Sequence, residues 1–152
     1  GDSINGSRAI YGQIHMLRVV ANTFFWTNSG HSTIELTNGS QQGVISANTF
    51  HEHQGYAIDV NGHLNSIVGN QFATTAPNPH LPHVRLAPGS WRNRVANNNQ
   101  WSMDPNQAIL DDAGSDNREH HNGAGGDVVV RALLGSSQSV GSGSGWTDFG
   151  SA

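Results

Sequence analysis

The chain has no cysteine and no lysine: its seven basic residues are all arginine. Without cysteine there are no disulfides and no thiolate metal sites. Charge of either sign is scarce, at 12% of residues against a usual ~25%. Seven arginines in a chain of formal net charge −4 make no basic stripe for a nucleic-acid backbone, so nucleic acid is not an expected partner. No run of 18 apolar residues offers a membrane span and no charged-plus-apolar leader opens the chain, so membrane insertion is not expected. Hydrophobic residues reach only 35%, whereas the 19 glycines and the many asparagines and serines are turn residues, which disfavours helix nearly throughout.

What is present is a repeated phrase. Val19-Val20-Ala21-Asn22-Thr23-Phe24 returns as Val44-Ile45-Ser46-Ala47-Asn48-Thr49-Phe50 and as Ser66-Ile67-Val68-Gly69-Asn70-Gln71-Phe72, its asparagines 26 and 22 positions apart. A second phrase, apolar-charged-apolar, keeps step: Ile34-Glu35-Leu36, Ile58-Asp59-Val60 and Val84-Arg85-Leu86. A period in this range marks a stacked or radial repeat protein. Each phrase is too short for a helix, and its alternation with β-branched residues predicts a strand, so each repeat contributes at least two strands. A looser fourth turn carries the asparagine phrase on either Arg94-Val95-Ala96-Asn97 or Asn99-Gln100-Trp101, the doubled asparagines suggesting a local insertion. Ala108-Ile109-Leu110-Asp111 falls where the next strand is due.

Parallel stacking places like residues above one another at about 4.8 Å. Phe24, Phe50 and Phe72 then form one interior column, and Ile34, Ile58 and Val84 another. Asparagine tolerates φ > 0 and so suits a corner, and stacked amides pass hydrogen bonds from rung to rung. Asn22, Asn48 and Asn70 are therefore expected to be structural.

The Val-Ile-x-Ala-Asn-x-Phe and Ile-Val-Gly-Asn-x-Phe phrases resemble the coils of the right-handed parallel β-helix of pectate-lyase-like proteins, and especially of trimeric bacteriophage tailspikes. The likeness covers roughly residues 9–134 and specifies fold far better than activity. It implies an all-β, right-handed parallel β-helix of about five coils over residues 1–126, with a C-terminal strand and Gly/Ser-rich tail over 127–152 that packs on partner subunits. The opening residues run quickly into Ile10, Ile14 and Val19 with no capping helix, so the sequence reads as a piece of a longer stack. A Gly/Ser tail has little burial to offset the entropy of ordering. It is thus expected to order against other copies of the chain, with Trp146 and Phe149 as anchors. The resemblance further implies a homotrimer on a phage virion, the C-terminal assembly and receptor-contacting part of a tailspike-like fibre acting on polysaccharide at the bacterial surface. Two other classes stand beside it: a polysaccharide lyase or glycosidase, and a structural adhesin stalk with no sugar site.

Candidate chemistry follows from the stacking. Glu35, Asp59 and Arg85 would occupy successive rungs of one exposed column. Two carboxylates about 5 to 5.5 Å apart suit a retaining glycosidase, and an adjacent arginine can hold an anionic sugar. The competing reading is a charge ladder in which Arg85 neutralises Asp59. Trp91 and Trp101, with Arg92 and Arg94, suit either a saccharide groove or packing under a loop. His51 and His53 would share one strand face, but a catalytic zinc needs a third protein ligand and the sequence does not fix one among His63, His80, His83, His120 and His121, so neither metal nor cofactor is expected. The proline-rich stretch 73–82 and the acidic stretch 111–119 are expected to be excursions between coils. The latter is dense in oxygen ligands but lacks the Asp-x-Asp-x-Asp spacing of a calcium loop.

Overall fold

The computed structural model describes residues 8–25, 31–74, 81–102 and 107–124. Among these residues there are fifteen short strands and no helix. The first rung is β1 (Ile10–Gly12), β2 (Arg18–Val20) and β3 (Thr23–Phe25); the second is β4 (Ile34–Gln41), β5 (Val44–Ser46) and β6 (Thr49–His51). The third is β7 (Ile58–His63), β8 (Ser66–Val68) and β9 (Gln71–Thr74), and the fourth β10 (Val84–Leu86), β11 (Arg94–Ala96) and β12 (Asn99–Ser102). The fifth is β13 (Leu110–Asp112), β14 (Arg118–His120) and β15 (Gly123–Ala124). Like strands of successive rungs pair in parallel, giving three five-stranded sheets: β1-β4-β7-β10-β13, β2-β5-β8-β11-β14 and β3-β6-β9-β12-β15. The chain is a parallel β-solenoid with three strands in each rung.

Its core is a set of columns. Ile10, Ile34, Ile58, Val84 and Leu110 stand in register, as do Val19, Ile45, Ile67 and Val95. Phe24, Phe50 and Phe72 align as expected, with ring centroids 4.9 Å and 5.4 Å apart and the rings stacked. The middle members of these columns are fully buried, each contributing about 1.5–3 kcal/mol of transfer free energy.

The corners depart from the sequence expectation in one respect. Left-handed backbone falls on the residue before the ladder asparagine, not on the asparagine: Ala21, Ala47, Asn97 and His121 have φ of 58°, 54°, 53° and 50°, and Gly69 of 66°. Met16, Gln42, Leu64, Arg92 and Asp116 form a second such column, φ 52–58°, at the preceding corner. Each left-handed non-glycine residue costs roughly 1–2 kcal/mol. The amide behind it offsets this: Asn48 Nδ2 donates to Val19 O at 2.9 Å and to Asn70 Oδ1 at 3.0 Å, and the pattern continues through Asn98 and Asn122.

The fourth turn contains no insertion at its asparagines. Arg94–Ala96 lies on Ser66–Val68 and Asn99–Ser102 on Gln71–Thr74, so both alternative segments are used, one on each side of the corner made by Asn98. The acidic stretch is likewise no excursion: Leu110–Asp112 and Arg118–His120 are strands of the fifth rung. Ala73 and Thr74 belong to β9, while residues 75–80 lie outside the described residues, as do Trp26, Trp146, Phe149 and the whole segment 127–152.

Candidate functional site

The outer side of the first sheet carries the charged column that the alternation predicts, but its three expected members are not exposed: Asp59 is buried and Glu35 and Arg85 are half-buried. Tyr11, Glu35, Asp59, Arg85 and Asp111 align on successive rungs. Arg85 grips Asp59 with two donors, Nε to Oδ1 at 3.0 Å and a guanidinium NH2 group to Oδ2. Its guanidinium also lies 4.7 Å above the Tyr56 ring. The hydrogen bond it donates to Asp59 holds the Arg85 guanidinium above its ordinary pKa, against a smaller opposing effect of burial. Glu35 is engaged separately, by Arg8 Nε, and that guanidinium sits 4.3 Å from the centroid of the Tyr11 ring. Glu35 and Asp59 thus each have their own arginine, and Arg8 and Arg85 each their own tyrosine. Both Glu35 and Asp59 are therefore occupied by guanidinium groups.

The far end of the same sheet carries a second outward ladder. His15, Gln41, His63, Trp91 and Ser115 are in register. Gln41 bridges its neighbours, its Nε2 3.0 Å from His15 Nδ1 and its Oε1 2.8 Å from His63 Nε2. His63 stacks on Trp91 with centroids 4.7 Å apart at 12°, and the Arg92 guanidinium lies 5.0 Å from the same indole. β7 joins the two ladders, carrying Asp59 at one end and His63 four residues on, about 13 Å away at strand rise.

Trp91 and Trp101 are not brought together. Trp101 stands on the third sheet, in register with Ala73 and His51, and is 55% exposed. Arg94 points outward from the second sheet, stacked on Arg118. Sequence reasoning missed Tyr56, Gln41 and His63 as partners of the face. Gln41 and His63 had a signal in the recurrence of His15, Gln41, His63 and Trp91 once in each repeat, each one residue before a left-handed corner residue; Tyr56 had none.

His51 and His53 do not share a face, because the left-handed residue Glu52, φ 52°, breaks the alternation between them. His51 is on the outside beside Phe25, with centroids 5.2 Å apart, whereas His53 is buried. Its Nδ1–H donates to Gly55 O at 2.7 Å, and its Nε2 is 2.8 Å from His83 Nδ1. His83 fills the place above Phe72 that the fourth rung leaves open by having Gln100 where the first three have phenylalanine; the two rings are 4.8 Å apart at 4°. With His53 Nδ1 committed as donor, neutral His53 accepts at Nε2, His83 donates from Nδ1, and His83 Nε2 keeps a lone pair. That nitrogen and Gln100 Oε1 are both buried without a hydrogen-bond partner. Burial pushes the His83 pKa down to about 3, the neighbouring His53 adding to the effect and the Gln100 side chain opposing it. His53 is also pushed down, by burial above all. Among the described residues no group of three His, Cys, Asp or Glu side chains is arranged to hold a metal. No protein family, no curated protein and no solved structure matches this chain.

Proposed function

We propose that this β-solenoid is a polysaccharide-contacting part of a tailspike-like fibre, assembled as a homotrimer and acting at the bacterial cell surface. The observation that carries the reading is the outer face of the first sheet. There the Asp59–Arg85–Tyr56 cluster and the Gln41–His63–Trp91–Arg92 ladder stand at two ends of one rigid strand, β7. Amide, imidazole and guanidinium groups beside an indole are the hydrogen-bonding and stacking partners a sugar ring uses. A separation of about 13 Å lets a chain of a few saccharide units touch both.

Contact without cleavage fits this face better than turnover. Glu35 and Asp59 sit one rung apart, near the spacing of a retaining glycosidase, but each is occupied by an arginine. A lyase or glycosidase remains the alternative, supported by that spacing alone. Incubation with capsular or O-antigen polysaccharide distinguishes the two by whether shorter oligosaccharides appear. Under the binding reading none appear, Trp91→Ala weakens retention of the polysaccharide about fivefold, equivalent to ~1 kcal/mol of lost aromatic contact, and Trp101→Ala leaves it unchanged. Turnover that is lost in Glu35→Gln or Asp59→Asn would establish the enzyme instead.

A further inference from the structure

Among the described residues, the two ends of the stack are chemically unlike. On the first rung the interior columns stop at apolar residues: Ile10, Ile14, Leu17 and Phe24 are only partly buried, although Ile34, Phe50 and their neighbours one rung on are fully so. The asparagine ladder is open there as well, since no described residue donates to Asn22 Oδ1. On the fifth rung two neighbouring columns, those that begin at Gly12 and Val19, end in acid. Asp112 stands in register on Leu86, and Glu119 on Val95, so two positions that are apolar from the second to the fourth rung become carboxylates.

These carboxylates do more than interrupt the columns. Within the stack the side-chain amide of each ladder asparagine donates to Oδ1 of the asparagine one rung on, as Asn93 does to Asn117 at 3.1 Å and Asn98 to Asn122 at 2.9 Å. On the last rung Asn117 Nδ2 donates instead to Asp112 Oδ1 at 2.8 Å, and Asn122 Nδ2 to Glu119 Oε1 at 3.4 Å. Asp112 Oδ1 also accepts from Gly114 N at 2.9 Å. Both ladders are thus closed by an acid of their own rung.

The backbone edges of the two ends match. One offers the outer edges of β1, β2 and β3, the other those of β13, β14 and β15, and all pairings are parallel. The donor that a sixth rung would receive, Asn122 Nδ2, corresponds to the open acceptor Asn22 Oδ1. A head-to-tail contact of this kind repeats without closing and builds a filament, the hazard that inward charges on exposed edges guard against.

We propose that Asp112 and Glu119 close the fifth-rung end of the solenoid against stacking by a second copy of this chain. A copy seated there would bury the two carboxylates beneath its Gly12 and Val19, and a buried charge is tolerated only when paired. The proposal does not depend on the glycan reading. It is tested on the full chain by sedimentation velocity over a hundredfold range of concentration, with circular dichroism to monitor the fold. Asp112→Leu/Glu119→Val restores the residue types of the fourth rung, and its mass is expected to rise several-fold with concentration, with filaments one solenoid wide in electron micrographs. Wild type is expected to keep one mass throughout. Asp112→Asn/Glu119→Gln keeps both acceptors and removes the charge, and is expected to associate to an intermediate degree; it decides the matter if the apolar pair fails to fold. A folded variant with the wild-type mass at every concentration overturns the proposal, as do wild-type filaments that the substitutions leave unchanged.

Discussion

At the scale of single residues, the buried histidines give the solenoid a pH-dependent core. The unfolded chain binds a proton on each histidine near pH 6.5, whereas folded His83 does so only at about 3. Between those values the unfolded state holds more protons, so stability falls as pH drops below 6.5 and is fully present above it. At pH 5 His83 alone costs about 2 kcal/mol, from 1.36 kcal/mol for each pH unit. Urea unfolding at pH 7.5 and pH 5 should therefore give clearly different midpoints. His83→Phe, which keeps a ring on Phe72 and removes one titrating group, should shrink the difference in unfolding free energy by about 2 kcal/mol. An unchanged difference would mean that the acid sensitivity arises elsewhere. His83 could not be assigned to the core from the sequence. It stands one residue before a strand, among prolines, and its role follows from Gln100 leaving room above Phe72.

At the scale of elements, the asparagine ladders hold the corners that the left-handed residues turn. Asn70 is the interior case: its amide donates to Ile45 O and Asn98 Oδ1, and its oxygen accepts from the backbone and side chain of Asn48. Asn70→Ala leaves buried groups on two rungs unpaired and should cost about 2–4 kcal/mol. Asn22→Ala, at the open end, should cost about 1 kcal/mol or less. Equal losses in denaturant unfolding would show that the corners do not depend on the ladder. The first ladder is legible in the repeated phrase. The second, Asn65–Asn93–Asn117, runs five positions ahead of it and is equally regular. It escapes notice because Leu17 and Gly43 occupy its first two places, Gly43 N donating to Asn65 Oδ1 at 2.8 Å without an amide of its own.

At the scale of the whole molecule, contacts run between neighbouring rungs, as in other solenoids, and function depends on which columns come to share a face. Glu35, Asp59 and Arg85 were legible as one column because strand alternation and a fixed period determine it. Trp91 and Trp101 were not separable, because a corner at Arg92 and another at Asn97 turn the chain between them onto different sheets. The tailspike-like reading predicts a trimer in solution. Equilibrium sedimentation of the full chain checks it, and a concentration-independent monomer would favour a solitary lyase-like or adhesin-like solenoid.

The sequence by itself determined the period, the strand alternation and the residue types of the interior columns, and with them the parallel solenoid. These are properties of neighbours along the chain and of one repeat against the next. Only the tertiary structure decided that Glu35 and Asp59 each have their own arginine, that His83 completes the phenylalanine stack, and that Asp112 and Glu119 terminate the ladders. Those outcomes depend on side chains reaching across corners and between rungs, where distance in space, not position in the repeat, decides which groups meet.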